Sequence, residues 1–233
     1  MIEAQGLIET DRLATLSVNG SGSLFWDSVA SLYTSVYVWI PLALVAVFLI
    51  IRNVNPHRIL LVLFLLAVTV LLCDQLSSSV CKPLFHRLRP THDPNILNMV
   101  DTVNGYRGGL YGFFSGHAAN SFGLAMFFVL LVKHRWFSLS VLIWAFLNSI
   151  IRTYLGVHFV GDIVVGAVTG MLIGSITYWI YSMFARKDKK SIDVRGSSLL
   201  YTRSGFMRSD VYLFISVLFG TYSVILILAC FTN

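Results

Sequence analysis

Charge is what this sequence has least of. Its 233 residues include 17 Lys and Arg and 11 Asp and Glu, 12% in all, against 56% hydrophobic residues. A water-soluble domain carries about 25% charged residues. Too few charges are present to coat a globule, so lipid is expected to cover much of the surface, in keeping with a mean hydropathy of +0.76. Cysteine is scarce as well. Cys73, Cys81 and Cys230 lie in or beside apolar runs and show neither a disulfide framework nor paired metal-ligand spacing, so they read as packing residues. The opening Met-Ile-Glu-Ala-Gln contains no basic stretch followed by an apolar one, and no cleaved signal peptide is expected. No strand-like alternation competes with helix. No basic patch sits on a soluble module, which argues against nucleic acid as a partner.

What the sequence does have is long apolar runs. Six are long enough to span a bilayer, at about 34–52, 58–81, 117–133, 136–157, 159–184 and 211–231. The expected fold is all-α: a polytopic membrane bundle of six transmembrane helices, preceded by short N-terminal interfacial helices. Residues 1–33 are too polar to span; Asn19-Gly20-Ser21-Gly22 reads as a turn between two stretches lying in the interface. Asn19-Gly20-Ser21 also matches a glycosylation acceptor, a short pattern of little weight. The expected organisation is an interfacial segment at 1–33, a helical-bundle core at 34–184, a basic linker at 185–210 and a C-terminal transmembrane helix at 211–233. Gly166, Gly170 and Gly174, each four apart, are expected to let the fifth span approach a neighbour closely.

Orientation follows from the basic residues. Arg52, Arg58, Lys133, Arg135 and the run from Arg186 to Arg208 fall on one side if all six segments span, and that side is expected to be cytoplasmic. Both termini, loop 82–116 and the corner at 157–158 then lie outside. Lys82, Arg87, Arg89 and Arg107 in the outer loop run against the rule and require another explanation.

Three clusters on that outer side carry chemistry. In the first, Lys82 precedes Arg89-Pro90 by six intervening residues; these cations can hold an anion or simply snorkel to the interface. The second, Ser115-Gly116-His117, opens the third span. A helix N-terminus offers free N–H groups to an anion, while Ser115 alone would serve as an ordinary cap. In the third, Arg152 is followed by His158 and then Asp162. The last two are four apart and share a helix face, so the carboxylate can fix the imidazole tautomer, although such a pair also occurs purely for stability. Together the clusters suit phosphoryl transfer: three cations and a helix N-terminus stabilise the phosphoryl charge, one histidine attacks phosphorus and the other protonates the departing alkoxide. Asp74, in the outer half of the second span, either serves this site or pairs with a neighbour. No carboxylate cluster offers a metal site, and no cofactor is expected.

These motifs resemble the type-2 phosphatidic acid phosphatase family within the vanadium haloperoxidase superfamily, over about residues 58–184. The family pattern is Lys-six-Arg-Pro, Pro-Ser-Gly-His and Ser-Arg-five-His-three-Asp. This chain departs from it twice, with Phe114 in place of the proline and Ile151 in place of the serine before Arg152; altered loop shape or one lost hydrogen bond is the expected consequence. The resemblance implies that His158 forms a phosphohistidine, Asp162 orients it and His117 is the general acid. It also implies that Lys82, Arg89, Ser115, Gly116 and Arg152 bind the phosphate. The partner implied is a phosphorylated membrane lipid, with phosphatidic acid, phosphatidylglycerol phosphate, undecaprenyl diphosphate, lipid A and sphingoid phosphates among the family's substrates. The short loops are similar to those of bacterial members, so the expected setting is the inner membrane of a bacterium, with the site facing the periplasm and an envelope lipid as substrate. No obligatory protein partner is evident. A lipid phosphotransferase on the same scaffold, or a non-enzymatic anion transporter, remain alternatives. Headgroup specificity is expected to depend on loop 91–113, through Asn95, Asn98, Asn104, Tyr106, Arg107 and Tyr111.

Phosphate release is accordingly expected to persist in excess chelator and to fall with vanadate, which mimics pentacoordinate phosphorus. Assay with EDTA, with added magnesium and with orthovanadate checks this; an absolute magnesium requirement contradicts it.

Overall fold

The computed structural model describes residues 2–185 and 199–232, with side chains from residue 5 onward. Helix α1 (Ile2–Val18) and α2 (Leu24–Thr34) precede a 3-10 turn, Val36–Trp39, that runs into α3 (Ile40–Asn53). Helix α4 (Pro56–Gln75) continues through a π turn, Leu76–Cys81, into the short α5 (Lys82–Phe85). After the loop 86–115 come α6 (Gly116–Val132), α7 (Arg135–Tyr154), α8 (Val160–Ala185) and α9 (Arg208–Ala229). Extended pairing among the described residues is limited to two isolated bridges, Leu88 with Tyr111 and Tyr201 with Met207.

Each helix starts where local chemistry favours it. Pro41 and Pro56 stand in the first turns of α3 and α4, where a missing N–H costs nothing. Asn55, Ser115 and His134 cap α4, α6 and α7 by accepting the N–H of His57, Ala118 and Phe137. Lys133 closes α6 in the left-handed region at φ 51°, the conformation that ends a helix.

Five helical segments are long and apolar enough to cross a membrane: Val36–Asn53, Pro56–Phe85, Arg135–Tyr154, Val160–Ala185 and Arg208–Ala229. Their outward residues are apolar, as in Leu60 at 79% exposure and Leu172 at 60%, which suits lipid and not water. The sixth expected span is α6, shorter at 17 residues. It lies against α4, α7 and α8 at the centre of the bundle, so other helices rather than lipid cover most of it.

The glycines expected to allow close approach do so on α6. A Cβ on Gly166 would stand 2.6 Å from the Ser115 carbonyl oxygen, and Cβ atoms on Gly170 and Gly174 would collide with the carbonyls of Ala119 and Gly123. Helices α6 and α8 therefore touch backbone to backbone. Thr69 and Thr177 join α4 to α8 by a buried hydroxyl pair at 2.7 Å.

One end of the bundle gathers the α3–α4 and α6–α7 connections and the start of α9. There Asn53 accepts the Met207 N–H at 2.6 Å, Ser204 donates to the Val132 carbonyl at 2.6 Å, and Arg58 donates to the Ala185 carbonyl at 3.1 Å. The stretch read as a basic linker, 185–210, is thus anchored over its last part: Tyr201 to Met207 form a tight turn with Phe206 buried. Residues 186–198 of that stretch lie outside the described residues. The first part of the chain is fastened to the opposite end. Asn19 donates to the carbonyls of Tyr154 and Asp101, and accepts the Asp101 N–H at 2.7 Å; its amide is committed to holding the turn.

Replacing Gly170 by Ala should separate α6 from α8 and cost about 1–3 kcal/mol or more, whereas Gly220→Ala, with nothing within 4 Å of its Cβ position, should be neutral. Thermal unfolding of both variants in detergent checks this; equal stability contradicts the close contact.

Candidate active site

The tight turn after α7 carries the first pair. Gly156, at φ 71°, reverses the chain, and the Val157 N–H returns to the Arg152 carbonyl at 3.1 Å. His158 and Asp162 then flank the start of α8, 2% and 0% exposed. Asp162 Oδ2 accepts the Phe159 N–H at 3.1 Å and stands 3.5 Å from His158 Nδ1. That last contact is too long to count as a formed hydrogen bond, and Nδ1 has no other hydrogen-bond partner. Catalytic hydrogen bonds often tighten only when substrate binds. Burial holds the imidazole down at about 4, helped by Arg89 and Lys82 and opposed by Asp162. His158 is therefore neutral at physiological pH.

The contact between α6 and α8 brings the second cluster alongside. The Ser115 N–H donates to the Asp162 carbonyl at 3.1 Å, which sets the N-termini of two helices side by side. Ser115 is fully buried, and its Oγ accepts the Ala118 N–H at 3.4 Å. His117, in the first turn of α6, is exposed. Gly116 faces Ser77, whose Oγ lies 3.3 Å from where a Cβ would stand. Ser77 belongs to the π turn, a feature common at functional sites, and its hydroxyl donates to the Phe114 carbonyl at 2.8 Å.

The third cluster closes the space from the loop. Arg89 donates through Nε to the Tyr111 carbonyl at 3.2 Å and through Nη1 to the Val157 carbonyl at 3.0 Å. Nη1 also lies 3.4 Å from His158 Nε2. The nitrogen facing away from Asp162 thus points at a guanidinium. Gly108, at φ 66°, passes so near that a Cβ would sit 3.0 Å from Arg89 Nη1. His117 lies within electrostatic reach of Arg152, His158, Lys82 and Arg89. Arg152 is 8% exposed, and its Nε has no hydrogen-bond partner. Among the described residues no three His, Cys, Asp or Glu side chains form a metal-ligand group.

All eight residues singled out in the sequence, Lys82, Arg89, Ser115, Gly116, His117, Arg152, His158 and Asp162, therefore meet at one end of the bundle. The two departures from the family pattern are absorbed: Phe114 is buried and uses its carbonyl, and Ile151 joins apolar clusters beside Val29 and Leu155. Asp74 lies within reach of Lys82. In loop 91–113, Tyr106 faces Arg89 and Arg152, whereas Asn95 is occupied with Asp93 at 3.0 Å and Asn104 meets Ser31 at 3.5 Å. Two further residues were not anticipated. Arg87 donates to Asp162 Oδ1 at 2.8 Å and to Asp11 Oδ2 at 2.6 Å. Its place among outer-loop cations that defy the topology rule was the available signal; Asp11, on a helix 151 residues before Asp162 in the chain, carried none.

With this geometry in view, comparisons with known proteins point one way. Residues 58–186 match the PAP2 superfamily. The chain is 36% identical over 219 residues to a lipid A 4'-phosphatase of Bacteroides thetaiotaomicron, covering 94% of each chain. It is 35% identical over 182 residues to a lipid A 4'-phosphatase of Porphyromonas gingivalis, covering 77% of this chain and 76% of the relative. Its fold is similar to the crystal structure of a transmembrane PAP2 type phosphatidylglycerolphosphate phosphatase from Bacillus subtilis, with a TM-score of 0.53 at 22% identity, over 80% of this chain and 89% of that one. The chain belongs to the PAP2 superfamily, as a multi-pass membrane protein whose three spaced motifs converge at one end of a helical bundle.

Proposed function

We propose that this membrane lipid phosphatase removes the 4'-phosphate of lipid A at the non-cytoplasmic face of a bacterial inner membrane. The observation that carries the lipid assignment is the extent of similarity to the two lipid A 4'-phosphatases. With the Bacteroides protein it covers 94% of this chain, well beyond the family-matched 58–186. The orientation rests on Arg52, Arg58, Lys133, Arg135, Arg203 and Arg208, which belong to the bundle end opposite His158 and would face the cytoplasm. All six long helices then span, α6 doing so inside the bundle at 17 residues, about 25 Å. Helices α1 and α2 lie in the outer interface, where Leu7 at 73%, Leu13 at 61% and Leu24 at 72% exposure would meet lipid.

In this reading His158 Nε2 attacks phosphorus, the bond from phosphorus to the sugar oxygen breaks, and His117 gives its proton to that oxygen. Water, deprotonated by His117, then attacks the phosphohistidine; the N–P bond breaks and inorganic phosphate leaves. Asp162 holds the imidazole with Nδ1–H toward itself, leaving the lone pair on Nε2. Lys82, Arg89, Arg152 and the N–H groups opening α6 neutralise the phosphoryl oxygens, the larger share of catalysis in such transfers.

The deciding experiment offers purified enzyme in detergent a panel of bis-phosphorylated lipid A, phosphatidylglycerol phosphate, phosphatidic acid and undecaprenyl diphosphate, and measures phosphate release and product mass against His158→Ala. Loss of a single phosphate from lipid A, at the 4' position, is the expected result; preference for a glycerolipid overturns the assignment. His158→Ala should abolish turnover, and His117→Ala should lower kcat by about 10²- to 10⁴-fold. Because Nε2 gains a proton only as pH falls through about 4, the acid limb that His158 contributes to kcat/KM should lie near there, once the substrate's own ionisation near about pH 6 is corrected for. A limb at the ordinary histidine value contradicts the buried, neutral nucleophile.

A further inference from the structure

A carboxylate as buried as Asp162, at 0% exposure, needs a compensating charge. His158 does not supply it, being neutral and 3.5 Å away. Arg87 does, through Nη1 on Asp162 Oδ1 at 2.8 Å. Its second amino group is taken by Asp11 Oδ2 at 2.6 Å, and the guanidinium carbon lies 4.2 Å over the Phe159 ring. Asp11 is fixed in turn, since its Oδ1 accepts the Gly161 N–H at 2.8 Å. One turn along α1, Thr15 accepts the Val160 N–H at 3.1 Å. Helix α8 is thus capped by side chains of α1, some 145 residues earlier in the chain, and its catalytic carboxylate is braced from the same helix.

We propose that Asp11 and Arg87 are positioning residues for the nucleophile, forming with Asp162 and His158 a four-residue chain through which α1 sets the orientation of the imidazole. The division of Asp162's oxygens is what makes this work. Arg87 occupies Oδ1, so Oδ2 remains for the Phe159 N–H at 3.1 Å and for His158 Nδ1. Without Arg87 the carboxylate can rotate, and the geometry offered to the imidazole is lost. Both amino groups of Arg87 rest on carboxylates, so it acts on the reaction through Asp162 and not on the phosphate. Asp11 matters because it fixes which way the guanidinium fork points. The proposal rests on His158 being the nucleophile.

The test measures kcat, KM and thermal unfolding separately on the purified full chain in detergent. Arg87→Met keeps the stem over Phe159 and removes the charge; Asp11→Asn keeps an acceptor for the Gly161 N–H and removes the anion facing Arg87. Thr15→Val breaks the neighbouring cap without touching the chain. Expected are losses in kcat on the order of 100-fold for Arg87→Met and 10-fold for Asp11→Asn, since small misplacements of reacting groups have such effects. KM should change by less than about 3-fold. The double variant should be no slower than Arg87→Met alone, because the two act as one unit. Thr15→Val should lower the unfolding temperature and keep kcat within about 3-fold, and free guanidinium should restore part of the activity of Arg87→Ala. A folded Arg87→Met enzyme with kcat near that of the parent overturns the proposal, as do losses that follow unfolding temperature across all variants. If His158→Ala is inactive while Arg87→Met is normal, only the positioning chain fails; if His158→Ala retains turnover, the reading of the site itself fails.

Discussion

The backbone contact between α6 and α8 is the constraint on which the site depends. In lipid there is little hydrophobic drive to press helices together, so close approach has to come from small residues and the van der Waals contact they permit. Gly166, Gly170 and Gly174 supply it, with no room for a Cβ against the carbonyls of Ser115, Ala119 and Gly123. The spacing has a chemical result. It brings the beginnings of the two helices level, so that the Ser115 N–H reaches the Asp162 carbonyl at 3.1 Å. One helix contributes free N–H groups and the general-acid candidate, the other the imidazole and its carboxylate. A wider gap would separate the two halves of the cluster while leaving each helix intact.

Electrostatics then gives the enclosed space its character. Lys82, Arg89 and Arg152 converge there, Arg152 buried and the other two half-buried; Lys82 is within reach of Asp74 and Asp162, Arg89 of Asp162. Asp162 is not free to balance them, because Arg87 already holds one of its oxygens. A surplus of positive charge is therefore left unbalanced there, and the unpartnered Nε of Arg152 is one visible sign of it. Charge that is expensive to bury without a partner is well suited to a doubly charged phosphoryl group, which supplies the partner and leaves again when the reaction is over.

The membrane helices were legible because apolar runs of about 20 residues have few other interpretations, and the helix bounds agree with the expected runs to within a few residues. The cluster was legible for a related reason: most of its residues sit at helix ends, in an apolar sequence where each polar side chain stands out. The failures have physical causes as well. Arg87 lies inside the interval between Lys82 and Arg89, where nothing in the spacing separates it from its neighbours; its role depends on a carboxylate 75 residues away. Asp11 sits on a helix whose exposed Leu7 and Leu13 read as a membrane-surface feature, and such amphipathic patterns carry no information about the polar face's partners. The ordered turn at Tyr201–Met207 was hidden by the Ser, Gly and Arg content around it, and is held by contacts to Asn53 and Val132 that only the fold creates.

Helix α1 shows what the family-matched region leaves out. It falls before residue 58, yet it is clamped at four points along its length. Asp11 holds Arg87 and the Gly161 N–H, and Arg12 grips Asp93 through two nitrogens at 2.9 and 3.2 Å. Thr15 takes the Val160 N–H, and Asn19 at the end of the helix ties Tyr154 to Asp101. Those contacts reach the loop 86–115, the end of α7 and the start of α8, the same three elements that carry Arg89, Arg152 and His158. A single rigid helix joined to all three fixes their separations more tightly than loops alone can, because none can shift without straining a bond to the others. The superfamily match begins at residue 58; in this chain α1, which precedes it, is bonded to the three elements that carry the motifs.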